Sequence, residues 1–295
     1  MIPENLIEFL YWVKENTETL WSEDLETSGC EEWIHGAKWI PLTDQQIDEV
    51  EKKYSIQFTP EHKEFLRILH TIDKKEKIEY TEDGEDDAET LIEENSLFYN
   101  WLQDDDEIKK MLEWPYRTIC EDVIGKNQVW LKSWGKRPSE KEERKKTFTD
   151  WYNEAPKLVP MHRHRFVVGD GSFMHNPVLS IWGSDIIVYG WNLRTYLLNE
   201  LKYHLDIYET VYDETEKENV ISFIPQVKTI FEEDYIFDEN KHIPFWEELI
   251  LLWTSGWSSF GLKFPGQDDS SVFPIMRTYI PEDGENQQKT FDDFK

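Results

Sequence analysis

The chain has 295 residues, and its 32 Lys and Arg stand against 61 Asp and Glu, a net charge of −29 with a pI near 4.6. Aromatic residues make up 15% of it, too much bulk for a disordered chain, and 13 Gly and 13 Pro are too few for a collagen-like or low-complexity one. So acidic a chain is repelled at long range by nucleic acid and by anionic membrane surfaces, and its natural attraction is to basic proteins.

Leu6, Phe9, Leu10 and Val13 recur at helical spacing and predict an opening amphipathic helix. Thr43 precedes Gln46 by three, a capping-box spacing, with Ile47, Val50 and Tyr54 on one face of the helix it starts. Thr59-Pro60 is a second start, an N-cap hydroxyl followed by Pro at the first helical position, with Phe65, Leu66 and Leu69 as the buried face. Glu79 to Glu94 holds nine acids and no basic residue, which reads as a solvated loop or, alternatively, a partner-binding one. Asn100 to Gly125 reads as a helix in two pieces split at Trp114-Pro115, and Val129 to Lys132 as a short strand. Lys132 to Lys146 is the one basic stretch, and it leads into a helical run through Phe148 and Trp151.

From Leu158 the period changes. Leu158 to Val168, Val178 to Trp182 and Asp185 to Tyr189 predict three antiparallel strands, with turns at Gly169-Asp170-Gly171 and Gly183-Ser184. Asn192 caps a helix carrying Leu193, Leu197 and Leu201. The chain then reads as acidic and irregular until Pro244, which starts a helix with Phe245, Leu249, Leu252 and Trp253 on one side. A short strand is expected near Val272 to Ile280. The expected organisation is a main domain over 1–205 and a C-terminal extension over 206–295 packing on the same domain.

Chemistry is sparse. Cys30 and Cys120 are too few for a zinc pattern or a disulfide framework, so free thiols in a reducing cytoplasm are expected. Met1 to Asn5 lacks a basic start, so no signal peptide is expected, and the longest apolar stretch, Ile243 to Trp257, is too short to span a bilayer. His162, His164 and His175 have a metal-like look, but Arg163 and Arg165 flank them and oppose a cation; no metal is expected. Ser180, His164 and Asp185 make a triad only on paper, and no phosphate loop, nucleophile elbow or dinucleotide fingerprint occurs. Asp185 reads as a turn carboxylate facing solvent or as the partner of a strand arginine such as Arg165. No catalytic residue and no cofactor are expected.

A set of segments in order and spacing resembles a known family. Pro41-Leu42-Thr43, Ile47, Glu51, Tyr54, Ile56, Phe58-Thr59-Pro60, His62 and Phe65-Leu66 resemble the entrance helices of the SUKH superfamily, in its Smi/Knr-type branch. Trp130, Trp134-Gly135, Arg137-Pro138, the run Ala155 to Pro160, His164-Arg165, Asn176 to Ser180, Asp185 to Ile187, Tyr189-Gly190 and Asn192-Leu193 resemble its bacterial form. The resemblance covers roughly Trp33 to Leu201. The turn Leu69 to Asp73, the acidic block and the last ninety residues depart from the family pattern.

The resemblance implies an α+β fold, a mainly antiparallel twisted sheet with helices packed on it, and no catalytic residues. Its bacterial members are immunity proteins that neutralise polymorphic toxins by stoichiometric binding, and its fungal members are scaffold or regulatory proteins of the cell-wall-regulator type. The expected partner is a cognate basic toxin, a nuclease whose bound phosphates an acidic surface can mimic, with no direct nucleic-acid contact and no membrane. The candidate contact residues are Glu82, Asp83, Glu85, Asp86 and Asp87.

Overall fold

Helix starts are where the local chemistry is most explicit. In the computed structural model, which describes residues 1–81, 90–169, 173, 175–214, 217–238 and 241–262, the Asn5 side chain accepts from the Ile7 and Glu8 N–H groups and opens α1 (Leu6–Ser22). A single turn, α2 (Leu25–Ser28), ends at left-handed Gly29. After β1 (Trp39–Ile40), Thr43 and Gln46 form the expected capping box of α3 (Asp44–Tyr54), and Thr59 with Pro60 starts α4 (Pro60–Ile68). His70, at φ 61°, reverses the chain into β2 (Thr71–Ile72), which pairs antiparallel with β1.

The described ends of the acidic stretch are not loop. Its flanks are strands, β3 (Lys75–Thr81) and β4 (Thr90–Ser96), paired antiparallel over their whole length. The next helix, α5 (Asp105–Glu121), runs through Pro115 and is not split at Trp114-Pro115. Met111 on one side of the proline and Ile119 and Cys120 on the other are all buried. Continuous burial offsets the lost ladder bond, which costs about 3 kcal/mol in a helix interior. A wide turn over Asp122–Lys126 follows. Val129 to Leu131 are buried but join no strand.

The last part of the basic stretch, from Lys141, opens α6 (Lys141–Glu154). The first expected strand is two: β5 (Lys157–His162) and β6 (Arg165–Gly169), with Arg163 at φ 45° in the turn between them. Neither turn residue is a Gly, Asn or Asp, so the sequence carried no warning of the reversal. With β7 (Val178–Trp182) and β8 (Asp185–Gly190) these form a four-stranded sheet in the order β5-β6-β7-β8. Asn192 caps α7 (Leu193–Glu200) as expected.

The segment read as irregular holds a regular hairpin and a helix: β9 (Tyr208–Asp213), β10 (Glu218–Phe223) and α8 (Pro225–Tyr235). The long helix expected after Pro244 is broken into α9 (Trp246–Ile250) and α10 (Thr254–Trp257). Gly256 lies against the Ile250 carbonyl, where a Cβ would come within 1.9 Å, so the chain folds back there and does not extend. The expected strand near Val272 to Ile280 lies outside the described residues, as do parts of the Gly169-Asp170-Gly171 turn.

The fold is α+β, and the described strands fall into four small antiparallel sheets. Two compact units interleave along the chain. The first comprises Met1–Ile108, Met161–Arg163 and Asn192–Phe231; the second comprises Lys109–Pro160, His164–Trp191 and, of the described residues, 232–262. Residues 206–231 thus go with the first unit and 232–262 with the second. The first unit's core is built on Trp21, Trp39, Phe65, Phe98, Trp101 and Tyr196, all buried, with Trp21 tilted over Trp39 at 5.6 Å. The second buries Trp130, Phe148 and Trp246, with Trp134 and Trp151 edge-on among them, and fills the sheet with Leu179, Ile181, Ile186 and Val188. Trp134 and Tyr189 are only half-buried. Among the described residues no helix is long and apolar enough to cross a membrane.

Candidate protein-binding surfaces

The five acids proposed from sequence, Glu82, Asp83, Glu85, Asp86 and Asp87, lie outside the described residues; they connect β3 to β4. What carries them is a fastened hairpin. The Asp104 carboxylate accepts from Lys75 Nζ (2.7 Å), Ser96 Oγ (2.7 Å) and the Asn100 N–H (2.8 Å), which ties both strands to the start of α5. Arg163 reaches Glu76 at 3.2 Å and Lys77 reaches Glu94 at 3.0 Å. Ile92 stands exposed on this hairpin.

A second surface in the same unit was not foreseen. In β9–β10, Tyr208 pairs with Phe223, Thr210 with Ile221 and Tyr212 with Asn219. Directly opposed residues and those two apart share a face, so these six side chains form one side of the hairpin. That side is open and apolar: Ile221 is 76% exposed and Tyr212 56%. At one end the rings run into a stack. Tyr203 lies nearly parallel to Tyr208 (6.3 Å, 15°), Tyr208 to Phe223 (4.6 Å, 20°), and Phe223 leans on Phe231 at 5.4 Å. Partial burial in this stack pushes the Tyr208 phenol above its ordinary pKa.

Tyr203 and Tyr208 also wall a cleft of about 760 Å³, whose other side is the C-terminal half of α1 with α2. Glu15, Glu23 and Asp206 line it, against one cation, Lys202. Lys202 Nζ sits 5.2 Å from the Tyr203 ring centroid, on its face. Over Asp206–Phe223 the sequence has six acids and one Lys. That density masked the alternation Tyr208, Thr210, Tyr212 and Asn219, Ile221, Phe223, which was the available strand signal.

The residues with a catalytic or metal look are engaged separately. His162 is buried, 3.7 Å from the Glu200 carboxylate and against Phe98. His164 lies in the β5–β6 turn, off the strand, with its ring edge-on to Trp182; His175 is exposed. Among the described residues no group of three or more His, Cys, Asp or Glu could hold a metal ion. Ser180 accepts from Arg165 Nη1 at 2.9 Å, and the Arg165 guanidinium lies 3.8 Å over the Tyr189 ring. Asp185 is exposed and accepts from the Ser255 hydroxyl, the solvent-facing turn reading.

One buried carboxylate does have a built environment. Asp122 Oδ2 accepts from both the N–H and the hydroxyl of Ser184, each at 2.8 Å, and Oδ1 from Asn127 Nδ2 at 2.7 Å; Trp253 Nε1 donates to the same Ser184 hydroxyl at 3.1 Å. These bonds hold the β7–β8 turn and aim no group at a cleft. The first unit thus carries two hairpins at its surface, β3–β4 tied down through Asp104 and β9–β10 with an exposed aromatic side near carboxylates. Compared with family models, with curated proteins and with solved structures, the chain finds no match.

Proposed function

We propose that this protein is a non-enzymatic binding module of the SUKH kind, an immunity protein that neutralises a cognate basic toxin by stoichiometric contact in the cytoplasm. The observation that carries the reading is the exposed aromatic side of β9–β10 set among acids, on a chain of net charge −29. Tyrosines dominate binding energy where they can be desolvated at an interface. Surrounding carboxylates steer a basic partner and favour it over acidic ones. A nuclease is the fitting toxin, because its phosphate-holding site is basic and an acidic surface competes for it.

The test is co-expression with the genes on either side of this one, followed by titration of the purified product of any that is toxic; if neither is toxic, the immunity reading fails. One equivalent of this protein should abolish toxin activity, and raising salt should slow association. A toxin that stays active in the presence of excess protein sinks the immunity reading.

A further inference from the structure

We propose that the cleft between α1–α2 and the Lys202–Tyr208 segment, together with the adjoining aromatic side of β9–β10, is the docking surface for a basic partner, and that the cleft takes an arginine side chain. The partner's identity as a toxin rests on the reading above; the chemistry of the surface stands on the geometry.

Three features converge on a guanidinium. First, the cleft is edged by the Tyr203 ring, which is 73% exposed at the outer end of the Tyr203–Tyr208–Phe223 stack. A planar cation stacks on such a face, where a hydrated ammonium gains less. Secondly, the ring already accepts a positive charge, since Lys202, the one lysine lining the cleft among the described residues, rests over Tyr203 with Nζ 5.2 Å from its centroid. Thirdly, Glu15, Glu23 and Asp206 stand around the rings with only Lys202 to offset them. A carboxylate accepts a guanidinium bidentately, which an ammonium cannot match. Beyond the cleft, Tyr212 and Ile221 continue the same side of the hairpin as apolar contact area. The occupant that fits is a segment with an arginine next to apolar residues. An acidic or purely apolar segment would leave the carboxylates unanswered, and a second copy of this chain would bring like charge to like.

The probe is a fluorescent nona-arginine peptide, compared with nona-lysine of equal charge by anisotropy on the full chain. Wild type should prefer arginine by about two- to fivefold, the size of an exposed cation–π contact, and Tyr203→Leu should abolish that preference. The triple variant Glu15→Gln/Glu23→Gln/Asp206→Asn should weaken nona-arginine about tenfold, as loss of charged contacts at one site does. A control of the same charge change at exposed acids elsewhere in the unit, Glu4→Gln/Glu32→Gln/Asp48→Asn, should weaken it less than about twofold. Equal losses in the two triples would mean that net charge alone attracts the peptide, and would overturn the proposal. If the cleft triple fails to fold, Tyr203→Leu, at an exposed side chain, decides alone.

Failure here and failure of the immunity reading are distinguishable. If wild type and Tyr203→Leu/Ile221→Ser protect equally against the neighbouring toxin, the surface is wrong and the immunity reading stands. If wild type gives no protection, the peptide comparison still decides the surface.

Discussion

His62 and His70 sit eight residues apart in the first unit, and both are buried, yet they are held differently. His70 Nε2 accepts from the Trp101 N–H at 3.0 Å, which puts the ring proton on Nδ1, donating to the Ile40 carbonyl at 2.9 Å. His62 has no hydrogen-bond partner for either ring nitrogen among the described residues and packs edge-on against Phe58 at 4.7 Å. Burial, and for His62 the neighbouring His70, pushes their pKa values from 6.5 down to about 3 and about 4. Both rings are neutral in the folded chain above those values, whereas the unfolded chain protonates them from about 6.5 downward, so stability is full above 6.5 and is lost as pH falls towards 4. Charging His70 would also turn its Nε2 into a donor facing the Trp101 N–H. His62→Leu removes one of these groups and an unsatisfied one at that. Urea midpoints should show a smaller drop between about pH 8 and pH 5 for His62→Leu than for wild type. An unchanged drop would mean that the ring is already solvated in the folded state.

The turn between β7 and β8 shows how an element's end is fixed from outside it. Gly183 has φ 61°, and a Cβ there would lie 2.5 Å from Asp122 Oδ2, the atom that holds Ser184. Gly183→Ala should cost more than about 1 kcal/mol, from backbone strain plus displacement of the carboxylate. Asp122→Ala should cost about 1–3 kcal/mol by leaving buried donors unpaired. In the double variant the steric part vanishes, so the two costs should add to less than their sum, a coupling that a denaturation cycle reads directly. Gly183-Ser184 was legible as a turn, and the capped starts of α3, α4 and α7 were legible too, because cap and turn chemistry is written in adjacent residues. The β5–β6 reversal and the unbroken α5 were not. Arg163-His164 carries no turn residue, and Pro115 is tolerated only because distant side chains bury both halves of the helix. Of the candidate surface, the acidic connector was legible as composition. The β9–β10 side was obscured because its strand alternation is diluted by carboxylates.

At the scale of the molecule, a charge of −29 on a folded chain repels itself. The described ion pairs are mostly at partly or fully exposed side chains, such as Lys146–Asp150 and Lys77–Glu94, where each contributes little. Screening should therefore relieve more repulsion than it removes attraction. The thermal midpoint should rise as salt is raised from about 0.01 to 0.15 M, over which the Debye length falls from about 30 to 8 Å. A falling midpoint would show that specific pairs outweigh the general repulsion. The same screening should slow capture of a basic partner, so stability and association rate are expected to respond to salt in opposite senses.

The first unit closes late. Ile2 donates to the Gln226 side chain at 2.9 Å and accepts from it at 3.0 Å, joining positions 224 residues apart, and the unit is complete only with residues up to Phe231. α1 meets α4 soon after it is made, but Arg194 of α7, which lies over the Phe9 ring, and Gln226 of α8 follow far later along the chain. At about 5–20 residues per second, the contacts to α7 and α8 wait on the order of 10 s. Ribosome-bound chains arrested after Leu201 should thus remain open to protease throughout their first hundred residues, and chains arrested with Phe231 clear of the exit tunnel should gain protection there in one step. The order of translation, and not only the final fold, then sets when this protein first becomes able to bind anything.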